Sequence, residues 1–262
     1  MLRARETWSP AAFPDIVVLT NGRVPTLERE RVAGSVGRLL MRCRVDGSAR
    51  IRMTASDCDG GPILAQVNTE PAGTPVRVQT IIQGHGDALP VLIRLERQLR
   101  TVRKAWSPRP WPDPARAPLD APGPGILVRR KTVALHTTEP LTAALIMDTM
   151  DYDVHLFTDA ETDQEAIVYR AQPSGLRLAR QHHVHPPRAA VAAGAAPIPL
   201  TTCPHPALAL TEPEAADRVR EHGLPFLFYT DLDTGRGHLV YRRYDTGLGL
   251  IRPAVDAATI RS

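Results

Sequence analysis

The chain has 262 residues, of which 43% are apolar and 23% charged, and a formal net charge of +4. This is close to the average for a globular protein and excludes wholesale disorder, while the length allows one large domain or two to three small ones. No apolar run reaches the ~18 residues of a membrane helix, and no apolar core follows the basic N-terminus, so neither a spanning segment nor a secretory signal is expected.

Cys43, Cys58 and Cys203 are odd in number and widely spaced, which fits a reducing cytoplasm better than a disulfide framework or a zinc site. Residues 1–106 hold 16 basic and 10 acidic side chains, net +6, and residues 107–262 hold 16 and 18, net −2. A basic half beside a weakly acidic one points to an anionic partner for the first half.

The first module reads as strand (Ile16–Leu19), helix (about Thr26–Cys43), strands (Ala49–Thr54, Ile63–Asn68 and Val76–Ile82) and helix (about Ala88–Trp106). In the last helix Ala88, Leu92, Leu95, Leu99, Val102 and Trp106 form one apolar stripe at spacings of 3 and 4. Arg94, Arg97, Arg100 and Lys104 fall on its other side. In the first helix Val32, Val36, Leu39 and Cys43 form the stripe, and Arg31, Arg38 and Arg42 share a flank. Alternation along the strands turns Arg50, Arg52 and Arg77 away from Ile51, Met53, Val76 and Val78. Four elements thus keep arginines on exposed faces, a pattern suited to bidentate pairing with the phosphates of RNA.

From Ser107 to Gly125 proline is too dense for helix or central strand, so this stretch is an extended linker. A second Pro-, Ala- and His-rich break covers about 181–207. The expected organisation is a basic domain (1–106), a linker (107–125), a module (126–180), a linker (181–207) and a module (208–255).

The two later modules are copies at a constant offset of 72: Leu156–Leu178 aligns with Phe228–Leu250 without a gap, with nine identities in 23 positions. They include Thr158/Thr230, Asp159/Asp231, Tyr169/Tyr241 and Arg170/Arg242. Each copy reads as a helix, a strand (Val154–Phe157 or Phe226–Tyr229), a polar turn, a second strand and a glycine turn into a last strand. In the first copy Thr132–Leu135 is a candidate leading strand. The expected fold is therefore α+β: an N-terminal βαβββα domain, a four-stranded sheet with two helices on one face, followed by two tandem βαβββ repeats. A domain of ~50 residues buries little surface alone, so each copy has reason to pair. Leu156, Phe157, Phe228 and Tyr229 are the candidate pairing residues.

No arrangement supports enzyme chemistry. His182, His183, His185, Cys203 and His205 match no closed zinc spacing. Asp159, Glu161 and Asp163 lack the glycine and closing glutamate of a calcium loop. No nucleophile–histidine–acid set is present, so no catalytic residue, metal or cofactor is expected.

Leu95-Glu96-Arg97-Gln98-Leu99-Arg100 resembles the "LERQL(R/K)" helix of the ribosome hibernation promoting factor and ribosome-associated translation inhibitor family, the sigma-54 modulation proteins. Met147–Thr162 with Ile167-Val168-Tyr169-Arg170 resembles that family's C-terminal domain. The resemblance covers nearly all the chain outside the linkers and is nearest to the actinobacterial, dormancy-associated branch. It implies a long-type factor of dormancy, hypoxia or stress. Its basic domain would bind 16S rRNA of the 30S subunit at the mRNA and tRNA path of the 70S ribosome and block translation. Long members usually carry one C-terminal domain, two of which join across chains to link ribosomes. The two copies here imply pairing within one chain and single 70S particles. Paired 100S particles, or a non-ribosomal RNA-binding stress regulator, are the alternatives.

Overall fold

The computed structural model describes residues 5–8, 15–55, 61–82, 87–104, 106–108, 125–171, 175–187, 200–243 and 247–254. Cys58, Trp111 and most of both Pro-rich stretches lie outside the described residues. The chain forms two compact units, one of Met1–Trp106 with Thr149–Asp151, the other of Ser107–Asp148 with Tyr152–Ser262.

The first unit runs β1 (Arg5–Trp8), β2 (Ile16–Asn21), α1 (Thr26–Arg42), β3 (Ala49–Ala55), β4 (Ile63–Thr69), β5 (Val76–Ile82) and α2 (Leu89–Val102). The sheet order is β1-β2-β3-β4-β5, and β2 and β3 are the parallel pair. Period-2 alternation drives the core: Ile51, Met53, Val67 and Val78 are buried against Val32, Val36 and Leu39 of α1 and Val91, Leu95 and Leu99 of α2. Each such side chain contributes about 1.5–3 kcal/mol by leaving water.

Two expectations change here. The sheet has a fifth strand, because β1 pairs antiparallel with β2, Thr7 opposite Val17. Four residues are too few to show a period. Helix α2 also stops at Val102 rather than Trp106. The Lys104 amide bonds Thr101, tightening the last turn, and Trp106 stands half-buried outside the helix.

The second unit contains β6 (Leu127–Val133), β7 (Thr137–Thr138), α3 (Pro140–Thr149), β8 (Val154–Asp159), β9 (Gln164–Tyr169), β10 (Leu176–Arg180), β11 (Leu200–Thr202), β12 (Leu208–Leu210), α4 (Glu212–Glu221), β13 (Phe226–Asp231), β14 (Gly237–Arg242) and β15 (Leu248–Pro253). Thr211 and Glu214 form a capping box that starts α4: the Glu214 amide donates to Thr211 Oγ1, and the Thr211 amide donates to Glu214 Oε2 at 2.8 Å.

Its two sheets have the orders β11-β10-β9-β8-β7 and β12-β13-β14-β15-β6. Each copy supplies a βαβββ set, β7-α3-β8-β9-β10 or β12-α4-β13-β14-β15. A fifth strand comes from elsewhere. β6 precedes the first copy but lies parallel to β15 of the second, and β11 precedes the second copy but lies parallel to β10 of the first. The leading strand expected at Thr132–Leu135 is therefore displaced. Its residues Thr132 and Val133 belong to β6 in the other sheet, and the short β7 leads the first copy. Which strand β6 pairs with is a non-local choice that no local pattern encodes.

Each β8 or β13 strand is buried on both faces. Towards the helices, Phe157, Val168, Leu176 and Leu178 are buried in the first copy, as are Tyr229, Val240, Leu248 and Leu250 in the second. On the other face Leu156, Ile167, Phe228 and Leu239 form one cluster with Val154, Tyr169, Ala179, Phe226 and Ile251. Of the four pairing candidates, only Leu156 and Phe228 lie in this cluster. Tyr229 belongs to the helix-side core, and Phe157, on the opposite strand face from Leu156, is buried at the equivalent position.

Candidate nucleic-acid interface

The C-terminal ends of α1 and α2 bring basic side chains together. Arg100 Nη2 lies 2.9 Å from Glu96 Oε1, and Arg42 Nη2, from the other helix, lies 3.4 Å from the same oxygen. Arg103 donates to the carbonyls of Cys43 and Arg44, tying the two helix ends together. Lys104 is exposed beside them. Ile93, Glu96, Arg97, Arg100, Thr101 and Lys104 line a shallow cavity of about 290 Å³. Last-turn carbonyls lack intrahelical donors and carry the negative end of the helix dipole, so cations are favoured there. Around Glu96 the five cations Arg42, Arg97, Arg100, Arg103 and Lys104 leave a strong positive excess.

On the same helix layer, Arg31 bonds Glu28 at 3.0 Å and Arg38 bonds Ser35 Oγ at 3.1 Å. These local partners orient the guanidinium groups along the helix surface. Arg38 and Arg42 remain exposed.

Arg50, Arg52 and Arg77 lie elsewhere. Both helices cover one face of the sheet, and these three arginines share the other. Arg50, Asn68 and Arg77 stand in register across β3, β4 and β5, and Arg52, Gln66 and Gln79 form the next row. Gln66 Nε2 donates to Asn68 Oδ1 at 3.2 Å. Nine of the ten candidate RNA-binding residues therefore form two groups on opposite faces, not one patch. Arg94 belongs to neither open group: its side chain is 12% exposed and pairs with Asp151 at 2.7 Å within the first unit. Arg77 also donates to the Met150 carbonyl at 3.1 Å. The fold thus reserves Arg77 and Arg94 partly for structure.

Sequence reasoning missed Arg103, Gln66 and Asn68. The polar positions of Ile63–Thr69 alternate with apolar ones, which was the available signal for the two amides. Such amides hydrogen-bond the edges of unstacked bases, whereas the arginines meet phosphates.

In the His-rich segment His183 Nδ1 lies 2.7 Å from Gln164 Nε2, and Cys203 Sγ lies 3.4 Å from the Tyr169 hydroxyl. Among the described residues no cluster of three or more His, Cys, Asp or Glu side chains is arranged to hold a metal. No helix of the described residues is long and apolar enough to cross a membrane.

Residues 124–178 match the family described as Sigma 54 modulation/S30EA ribosomal protein C terminus. Over 247 residues the chain is 52% identical to the "Dormancy associated translation inhibitor" of Mycobacterium tuberculosis, strain CDC 1551 / Oshkosh, covering 93% of this chain and 90% of that protein. The chain belongs to the Sigma 54 modulation/S30EA ribosomal protein family. The protein of the same description from strain H37Rv matches equally. The matched S30EA segment ends at Leu178, so it spans the first copy of the repeat. The matched segment thus lies in the second unit except for Thr149–Asp151, while the basic helix ends lie in the first.

Proposed function

We propose that this protein is a ribosome hibernation factor: a non-enzymatic inhibitor of translation that acts in the cytoplasm on the 70S ribosome. The basic first unit binds 16S rRNA of the 30S subunit at the mRNA and tRNA path and occupies it. The observation that carries this reading is the cluster of Arg42, Arg97, Arg100, Arg103 and Lys104 at the joined helix ends, in a stretch, residues 1–106, with net charge +6. Phosphate contacts of this kind supply sequence-independent, salt-sensitive affinity. The 52% identity to a protein described as a translation inhibitor supports the inhibitory outcome.

The second unit pairs its two copies within the chain. The shared cluster of Leu156, Ile167, Phe228 and Leu239 supports this. With the pairing face filled, the factor holds single 70S particles rather than joining two.

Co-sedimentation with 30S subunits and 70S ribosomes over a salt series tests the reading. Binding that weakens with salt and disappears in the Arg97→Glu, Arg100→Glu, Lys104→Glu triple variant is expected. A triple variant that binds and inhibits translation unchanged overturns the site. A dominant 100S peak overturns the single-particle outcome.

A further inference from the structure

The two exchanged strands obey the repeat. Arg177 of β10 stands opposite Thr201 of β11, and Gly249 of β15 stands opposite Arg129 of β6. Both members of the second pair are the first pair's partners displaced by the offset of 72. Leu178 with Thr202 and Leu250 with Arg130 repeat the relation. The apolar cluster does the same, Leu156 matching Phe228 and Ile167 matching Leu239. The second unit therefore has the internal two-fold relation of a strand-exchanged dimer, with both halves on one chain.

That relation does not depend on which chain supplies each half. A first copy needs a leading strand and an apolar face from a second copy. Either the same chain or another molecule of it satisfies that need equally well at the level of contacts. Closure within one chain has one extra demand. β11 lies parallel to β10, so the chain must return from the end of β10 to run beside its start. A parallel neighbour requires a crossover of a dozen or more residues. Residues 181–199, 19 in all, separate Arg180 from Leu200 and meet that demand.

We infer that the length of the 181–199 connector decides whether strand exchange closes within one chain or between two, and that a second copy of this chain is the partner the unit accepts when the connector is too short. At native length the tethered copy has an effective concentration that can reach ~mM, which keeps the chain closed on itself. A shortened connector removes that option and leaves the same strands and the same cluster to a second molecule. Domain swapping at a shortened hinge is a general route to dimers.

The test uses the full chain with residues 188–198 deleted, which leaves eight connector residues. Light scattering on the purified protein reads the mass. A dimer for the deletion chain and a monomer for the native chain are expected. A folded monomer after deletion overturns the inference.

A second measurement covers the case in which the deletion chain does not fold. Arg236 donates to Glu165, and the Gly237 amide donates to the same carboxylate at 3.3 Å, so one ion pair links the two copies. Glu165→Arg leaves two arginines facing each other within one chain, and Arg236→Glu leaves two glutamates. Exchange between one chain of each kind restores an opposite-charge pair at both interfaces. Both variants also carry a milder deletion, residues 188–195, which leaves eleven connector residues. Co-refolding the two, differently tagged, at high concentration is expected to give a heterodimer that neither forms alone, while the same charge pair at native connector length stays monomeric. Monomers only from the shortened pair, or a heterodimer from the native-length pair, overturn the inference. Both readings use purified protein, so they stand or fall separately from ribosome binding.

Discussion

Leu156 and Phe228, 72 residues apart and equivalent in the repeat, are buried in one apolar cluster, 5% and 7% exposed. Neither copy retains that burial alone. Leu156→Ala is expected to cost about 2–5 kcal/mol in the stability of the second unit, as for other buried leucines. Phe228→Ala is expected to cost about 3–5 kcal/mol. Because the two side chains share a cluster, the double variant loses less than the sum of the singles. Thermal unfolding of the three variants checks this, and additive losses would show that the cluster is not shared.

Glu96 is the acid within the basic helix ends, held by Arg42 and Arg100. Exposed charge pairs are worth about 0.2–1 kcal/mol, so Glu96→Gln is expected to raise RNA or ribosome affinity by at most about fivefold. Arg100→Glu acts in the opposite direction. Loss of one phosphate contact lowers the slope of log affinity against log salt by about 0.9 for duplex and about 0.7 for single strands. Binding titrations at three salt concentrations measure both effects.

Buried arginines separate the two copies. Arg180 Nε lies 2.5 Å from Asp159 Oδ2, and both side chains are almost fully buried. Arg180→Leu strands that carboxylate and is expected to cost about 3–5 kcal/mol. Arg252 is the equivalent residue in the second copy, but it is exposed and donates to Thr132 Oγ1 at 3.0 Å. There Asp231 is held by the Thr234 hydroxyl at 2.7 Å. Arg252→Leu is expected to stay within about 0.5 kcal/mol of the native protein, as for other surface positions. Denaturant midpoints of the pair read the difference.

His155 makes the first copy acid-sensitive. Its ring stacks on Tyr152 and Phe157, and its Nε2 is buried without a hydrogen-bond partner. Burial first, and the neighbouring charge of His136 second, push its pKa down from 6.5 to about 4. The unfolded chain therefore takes up the proton first as pH falls. Stability is complete above the ordinary histidine value and declines between 6.5 and about 4. With the ring only partly buried, a loss of roughly 1–2 kcal/mol by pH 5 is expected. Leu227 is the equivalent residue in the second copy. His155→Leu should flatten the pH dependence of the urea midpoint, and an unchanged slope would rule out this histidine as its source.

Much of the fold was legible because its core strands and helices are long enough to show their periods. Val32, Val36, Leu95 and Leu99 follow from spacing alone, as do the outward arginines of β3. The repeat at offset 72 revealed the two copies. Other features were hidden for physical reasons. Phe157 and Tyr229 sit on strands with both faces buried, so alternation separates the faces without saying which one meets the helix. The partner of β6 is chosen across more than 100 residues by sheet edges that exist only in the folded unit. The arginines of the site were visible one element at a time. Their division into two groups was not, since it depends on both helices covering the same face of the sheet.

In a symmetric homodimer both sides of the interface are made from the same codons, so one mutation changes both sides at once. Strand exchange within a single chain lifts that restriction. Position 165 is Glu while its counterpart 237 is Gly, and position 164 is Gln while its counterpart 236 is Arg. An added Cβ at Gly237 would lie 2.5 Å from the Glu165 Cβ, so the glycine makes room for the acid opposite it. Two identical halves cannot hold both the acid and the space it occupies at the same position. The two halves are thus free to diverge, each adapting to a neighbour that is no longer its twin.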